Sequence, residues 1–279
     1  MKKRILKIAA LVVAVVLMIG VCYFANGLVG NPVSKSLAKN TAEKYVGDNY
    51  GEDYEIERVS FSFKDGYYHA FVSSESSIDG DFTLLIDMWG KLRIDTYEDR
   101  VASGWNTADR IGREYRSRVD AVFDSQAFPY TEHIGYGDIE FISREYKDAP
   151  TVPSYAFITD DLTPNILYDI NELGAKAGKL TVYIDDGTVS VDRMAEILIE
   201  IRRVFDDAGV RFYAIDCVLE SPKSIEGERN HERVEVMDFL YSDIYEEGMI
   251  QRVGVSNDAA KSYHSAQDAE KQMQIEENK

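Results

Sequence analysis

The stretch that decides the fold runs from residue 180 to residue 219 and reads LTVYIDDGTVSVDRMAEILIEIRRVFDDAGVRFYAIDCVL. It begins with an apolar strand that ends at a turn, Asp186-Gly187, and Ser190 is placed to cap the helix that follows. Apolar residues then recur at helical spacing as far as Gly209, and a second apolar strand follows. Two strands joined by a helix of this length are most simply parallel, with a right-handed crossover. The stretch therefore predicts a β-α-β unit.

The residues on either side extend this unit to a domain over residues 128–250. Asp169 and Glu172 form a capping-box pattern in front of a short helix. After the second strand, a polar loop over residues 222–231 leads to another apolar strand over residues 232–240. We therefore expect a two-layer α/β sandwich with a mixed sheet.

An earlier part of the chain, residues 31–127, shows a different order of elements. A helical period over residues 34–45 changes to strict alternation, as in the apolar Val59 and Phe61. Asp65-Gly66 is a turn of the kind that hairpins prefer. One helix followed by about four antiparallel strands is a small α+β unit, and this order is similar to that of cystatin-like and PepSY-type modules. A second helix, over residues 101–123, closes this domain or connects it to the next.

The first residues suggest a membrane anchor. Residues 8–25, IAALVVAVVLMIGVCYFA, contain no charge and follow a basic start. Roughly twenty apolar residues span a bilayer, so the run predicts a transmembrane helix. The positive-inside rule then places the N-terminus in the cytoplasm and the bulk of the chain outside, as a single-pass protein of the cell membrane. A cleaved signal peptide and a lipoprotein lipidated at Cys22 are alternatives, although the small residues that either cleavage requires are missing.

Together these patterns predict an α+β chain in four parts. Residues 1–30 hold the basic start and the transmembrane helix, and residues 31–127 hold the helix-plus-antiparallel-sheet domain. The sandwich domain occupies residues 128–250. Residues 251–279 are dominated by polar and charged side chains, which predicts a tail that is partly helical and mostly disordered.

Charge limits the partners. The formal net charge is -18, which disfavours nucleic acid because like charges repel at contact. The expected partners are the membrane, through the N-terminal helix, and an envelope protein or peptide. Cys217 lies in an apolar strand and reads as a small buried side chain, so the two cysteines predict no disulfide framework.

Chemistry of the familiar kinds is not indicated, and we expect no catalytic residue, metal ligand or cofactor site. The four histidines are scattered without ligand spacing, at His69, His133, His231 and His264. Acidic pairs recur at Asp160-Asp161, Asp185-Asp186, Asp206-Asp207 and Glu246-Glu247. Asp185-Asp186-Gly187 has the turn of a calcium loop without its alternation of acidic residues, so we interpret it as a turn. A carboxylate pair could still act as general acid and base if its spacing were suitable.

The most unusual local string is Ser103-Gly104-Trp105-Asn106-Thr107. One interpretation is a binding groove formed by Trp105, Asn106, Arg110 and Arg113, because tryptophan and arginine dominate interface energetics. In the other interpretation, Gly104 breaks a helix, Asn106 or Thr107 caps the next turn, and Trp105 fills a seam between domains.

Several strings together resemble one family. They are Gly30-Asn31-Pro32-Val33-Ser34, Tyr97-Glu98-Asp99, the Trp105 string, Phe128-Pro129-Tyr130 and Ala214-Ile215-Asp216. They are similar to the YfjL-like family of membrane-anchored proteins of Gram-positive bacteria. The resemblance extends to about residue 240 and implies a two-domain extracytoplasmic arrangement. It supplies no catalytic residues.

Three functional hypotheses remain. The leading one is a non-enzymatic module that binds, senses or regulates an envelope protein or peptide. The first alternative is a wall-active or peptide-active hydrolase with an unrecognised carboxylate pair. The second alternative is a scaffold that spaces other envelope components from the membrane.

Overall fold

A computed structural model describes residues 2–150, 152–223 and 232–277. Its helices are α1 (Lys2–Val29), α2 (Pro32–Asn49), α3 (Trp105–Phe123), α4 (Ile170–Ala177), α5 (Val191–Asp207) and α6 (Met249–Glu277). Its strands are β1 (Tyr54–Phe61), β2 (Tyr68–Ser74), β3 (Phe82–Ile86), β4 (Leu92–Asp95), β5 (Thr131–Ile139), β6 (Phe141–Ile142), β7 (Phe157–Ile158), β8 (Gly178–Asp185), β9 (Ala214–Glu220) and β10 (Arg233–Leu240). The chain divides into two compact units, Met1–Thr107 with Leu162–Ile166, and Ala108–Asp161 with Leu167–Lys279.

The first helix corrects the predicted fold class. Within the described part of the chain, no helix combines the length and the apolar character that crossing a membrane requires. The transmembrane helix predicted over residues 8–25 is therefore wrong, and the structure is a mixed α+β fold with several sheets. The membrane location inferred from that helix stays a prediction of the sequence.

The first unit is built from α2 and a four-stranded sheet. Asn31 caps α2 by accepting the backbone N–H of Ser34 at 2.8 Å, and Pro32 occupies the first turn, where its missing N–H costs no hydrogen bond. The strands follow one another in the order β1-β2-β3-β4, all antiparallel. The helix and the sheet bury their apolar faces in one core, whose members are Ala38, Ala42, Val46, Val59, Tyr68, Ala70, Val72, Phe82, Leu84, Ile86 and Val101.

A short segment from much later in the chain, Leu162–Ile166, also belongs to the first unit. The side chain of Asn165 accepts the hydroxyl of Ser77 at 2.8 Å and the N–H of Ile78 at 3.0 Å. The N–H of Asn165 in turn donates to the buried carboxylate of Asp79 at 2.9 Å. These hydrogen bonds fix the loop before β3, and no pattern in the sequence predicted them.

The second unit contains a mixed sheet in the order β10-β9-β8-β5. The β8 and β9 strands are parallel and α5 connects them, whereas β10 pairs with β9 and β5 pairs with β8 in antiparallel fashion. Ser190 caps α5 by accepting the N–H of Arg193 at 3.1 Å. Buried and partly exposed residues alternate along the whole of β8, because successive side chains point to opposite faces of a sheet.

One face of this sheet is packed against helices. The rings of Phe123 in α3 and Phe205 in α5 lie 5.4 Å apart and nearly perpendicular. A Cβ atom at Gly137 of β5 would approach Val119 of α3 to 2.7 Å, so only glycine allows this close contact between helix and strand. The opposite face carries Lys179 and other polar side chains, which form two of the clusters described below.

The last helix replaces the disordered tail expected over residues 251–279. Val253 and Ala260 of α6 are buried, and the helix contacts both α5 and β10. The buried side chain of Asn257 accepts the N–H of Glu235 in β10 at 3.0 Å. The polar composition masked this helix, because polar and charged residues outnumber the apolar ones in it. At Glu235, α6 therefore covers the edge of the sheet, where an unpaired backbone group would invite aggregation.

Candidate functional site

The four residues of the predicted groove divide between the two units. Trp105 and Asn106 belong to the first unit, and Arg110 and Arg113 to the second. The Asn106 amide donates to the backbone carbonyl of Asp79 at 2.9 Å, and its oxygen accepts the guanidinium of Arg100 at 3.1 Å. Asn106 therefore holds the loop before β3, and the groove itself stays a prediction.

The alternative interpretation of the same string predicted a helix break at Gly104. That residue has a φ of 77°, a left-handed conformation that favours glycine. It separates the short helix Glu98–Ala102 from α3. The hydroxyl of Thr107 donates to the carboxylate of Asp79 at 3.0 Å.

An open groove lies between β10 and the first turns of α6, with a volume of about 510 Å³. Its walls are Met237, Asp238, Phe239 and Leu240 of β10, Asp243 and Gly248 of the connecting loop, and Gln251, Arg252, Val255, Ser256 and Ala259 of α6. Met237 is 37% exposed and Val255 is 68% exposed. Two apolar side chains on opposite walls are therefore open to solvent.

One cation and several carboxylates belong to the groove and to the loop beside it. The Arg252 guanidinium donates to the backbone carbonyls of Asp243, Tyr245 and Glu247 and lies 3.6 Å from the centre of the Tyr245 ring, so the loop itself engages this cation. The same loop carries the carboxylates of Asp243, Glu246 and Glu247. The loop is therefore acidic in composition, and its Asp243 lines the groove.

A second cluster lies at the far end of β8 and β9 and joins three residues. His133 Nδ1 is 3.4 Å from Asp185 Oδ1, and His133 Nε2 is 3.3 Å from Glu220 Oε1. One ligand atom from each residue lies within 4.8 Å of the other two, close enough for a shared metal ion. The three side chains are between 19% and 32% exposed, so the cluster opens to solvent.

The sheet register brings these three residues together. Asp185 and Glu220 are direct neighbours on the parallel strands β8 and β9. His133 is the extra residue of a bulge, because Glu132 and Ile134 pair with consecutive residues of β8. Bulges re-aim side chains and are over-represented next to functional sites. No local sequence pattern indicates the cluster, because its members lie far apart in the chain.

A third cluster lies on the same face, at the opposite end of the sheet. Lys179 Nζ lies 3.0 Å from Asp216 Oδ2 and 2.7 Å from Asp238 Oδ1. Burial lowers the pKa of Lys179, but its hydrogen bonds to the two carboxylates outweigh burial and raise the pKa above its ordinary value. Burial raises the pKa of the nearby Glu140 above its ordinary value, although the charge of Lys179 opposes this shift.

The remaining chemistry-bearing residues are placed as follows. His69 pairs with Asp65 at 2.8 Å, and His264 pairs with Glu235 at 3.0 Å. The fourth histidine, His231, lies outside the described residues. Cys217 is buried, and burial raises the pKa of its thiol, which disfavours the reactive thiolate.

The fold and these sites define a two-unit α+β protein with an antiparallel sheet in one unit and a mixed sheet in the other. Comparison with known proteins matches the YfjL-like N-terminal domain over residues 4–96 and the YfjL-like C-terminal domain over residues 114–254. The chain belongs to the YfjL-like family. No curated protein matches it.

One solved structure is similar in part. It is the crystal structure of a DUF5037 family protein from Ruminococcus gnavus ATCC 29149, with 15% sequence identity. The similarity covers 66% of this chain and 74% of that chain, with a TM-score of 0.20. At that score the likeness carries no argument about fold or function.

Proposed function

We propose that this chain is a non-enzymatic binding module and that the groove between β10 and α6 takes an extended, apolar and basic peptide segment of a partner protein. The observation that carries the proposal is the groove, with its exposed Met237 and Val255 on facing walls. Its volume of about 510 Å³ falls in the range of about 300–1,000 Å³ that is usual for ligand sites.

Charge supports a basic occupant. Asp238 and Asp243 line the groove, Glu246 and Glu247 follow in the loop that leads to α6, and the whole chain has a formal net charge of -18. Complementary charge steers a partner to its site and selects against acidic competitors. Apolar side chains of the peptide would bury Met237 and Val255, and lysine or arginine side chains would reach the acidic loop.

The shape supports an extended segment. The wall on one side is β10, the edge strand of the sheet, and peptides often bind beside an edge strand in extended form, with alternate side chains in pockets. The hydrolase and the scaffold stay predictions of the sequence.

Fluorescence anisotropy with labelled dodecapeptides tests the proposal. The probes alternate leucine with lysine, leucine with glutamate, or serine with lysine. We expect the leucine-lysine peptide to bind the full chain at least about tenfold more tightly than either of the others, a difference of about 1.4 kcal/mol.

The matched variants are Val255→Glu, on the groove wall, and Ile250→Glu, which is also exposed on α6 but outside the groove lining. Only Val255→Glu should weaken binding, by about tenfold or more. Equal effects of the two variants would contradict the proposal. So would a concentration-dependent dimer that Val255→Glu dissociates in sedimentation, since the occupant would then be a second copy of this chain.

A further inference from the structure

We infer that His133, Asp185 and Glu220 form a binding site for a divalent first-row transition-metal ion of the Zn²⁺ type, with one ligand atom from each residue. The inference is independent of the peptide groove, because none of the three residues lines it. It rests on the geometry of the cluster, on the bulge that places the histidine, and on the chemistry of the three side chains.

The distances fit a small ion. Zinc binds nitrogen and oxygen at about 2.0–2.2 Å, so two ligand atoms of a tetrahedral site lie roughly 3.3–3.6 Å apart. His133 Nε2 and Glu220 Oε1 are 3.3 Å apart. Asp185 contacts the other ring nitrogen, Nδ1, and an imidazole offers one ion only one nitrogen, so the partly exposed Asp185 carboxylate has to turn toward Nε2. One atom of each residue already lies within 4.8 Å of the other two.

The backbone presents the three ligands without a long rearrangement. Asp185 and Glu220 are paired across β8 and β9, and the N–H of Asp186 donates to the carbonyl of Glu220 at 3.0 Å. His133 stands out of the β5 ladder as the bulged residue. Ligands on paired strands of a packed sheet are held more rigidly than ligands on a loop.

The ligand types select the class of ion. Calcium takes six to eight oxygen ligands, and magnesium is usually held by carboxylates and several waters, so an imidazole suits neither ion. One imidazole and two carboxylates suit zinc and its neighbours in the first transition row. The two carboxylates supply two negative charges, which balance a divalent cation. Three protein ligands leave a tetrahedral ion one position for an exogenous ligand.

Isothermal titration of the full chain with ZnCl₂ tests the site, after removal of any polyhistidine tag. We expect one site that His133→Ala, Asp185→Asn and Glu220→Gln each weaken by about tenfold or more, the size of effect seen when groups that support a metal site are removed. CaCl₂ and MgCl₂ should give no comparable binding.

Two matched controls separate ligation from general charge loss. His264→Ala removes another histidine that pairs with a carboxylate, and Asp186→Asn removes the neighbouring carboxylate, which pairs with Arg193 at 2.9 Å. Both should leave zinc affinity within about threefold of the wild type.

Zinc X-ray absorption of the loaded protein supplies a second readout and should show nitrogen and oxygen ligands without sulfur. Three results would overturn the inference. They are an unchanged affinity in His133→Ala, an equal loss in the two controls, and calcium binding as tight as zinc binding. Circular dichroism of each variant without metal identifies any variant that fails to fold. If one of the three ligand variants is unfolded, the zinc affinities of the other two test the inference.

Discussion

The two edge strands of the mixed sheet differ in how they use a bulge. In β10 the register shifts between Val236 and Phe239, and Asp238 in this bulge has a φ of 46°. Lys179 lies between the carboxylates of Asp238 and Asp216 and contacts both at 3.0 Å or less. At this end of the sheet the two carboxylates are therefore paired with a cation that is part of the chain.

The bulge in β5 presents a histidine to the carboxylates of Asp185 and Glu220, at 3.4 and 3.3 Å. The arrangement is similar, with two carboxylates and one nitrogen-bearing side chain on the same sheet face. The difference is chemical, because a lysine is a fixed positive charge whereas an imidazole can be neutral and can bind a metal ion. The Lys179 end of the sheet therefore carries a cation that is part of the chain, whereas the His133 end can take an exchangeable one.

The largest expected change in stability comes from removing Lys179, at the end of the sheet where it pairs with two carboxylates. Lys179→Met should destabilise the second unit by about 2 kcal/mol, because it leaves the partly buried carboxylate of Asp216 and the more exposed carboxylate of Asp238 without their cation. Thiol labelling of the buried Cys217 across a urea gradient, in a Cys22→Ser background, reports opening of this unit. Lys176→Met is the matched control, since its pair with Glu172 is exposed on one helix and should contribute less than about 0.5 kcal/mol. Similar midpoints for the two variants would show that Lys179 is not the stabilising cation.

An intermediate effect on stability is expected when the His133 cluster is given a lysine, like the Lys179 cluster at the other end of the sheet. His133→Lys places a fixed cation beside Asp185 and Glu220 and should raise stability by up to about 1 kcal/mol, as partly exposed pairs do. It should also abolish zinc binding, because a protonated lysine is not a ligand. The Cys217 labelling assay and calorimetry on the same sample check both parts. Zinc affinity retained in this variant would place the ion elsewhere.

Local patterns predicted the elements of this fold better than its sites. Alternation located the strands of the first unit, and the apolar stripe ending at Gly209 located α5. By contrast, β5 escaped prediction because Gly135 and Gly137 disfavour a strand, and their role appears only when α3 packs against them. The bulge at His133 depends on pairing with β8, and no local pattern encodes it.

Longer-range features could not be predicted for the same reason. Leu162–Ile166 joins the first unit through hydrogen bonds of Asn165 to residues more than eighty positions earlier. The groove requires α6, and α6 is stabilised by burial of Val253 and Ala260 rather than by its polar composition. Both features arise from tertiary packing, which periodicity within a segment does not report.

The smallest expected effect concerns Glu140, beside the lysine end. Burial raises its pKa in the folded state above the ordinary value, so the folded protein binds this proton more tightly than the unfolded chain does. Stability therefore falls as pH rises from the unfolded pKa through the folded pKa, and at neutral pH the carboxylate is destabilising. Glu140→Gln should stabilise the second unit by about 0.5 kcal/mol at pH 7 and by less below the unfolded pKa, in urea titrations read by Cys217 labelling. Glu145→Gln, on an exposed segment, is the control and should leave stability at pH 7 close to that of the wild type. A gain for Glu140→Gln that grows toward acid would reverse the assigned sign.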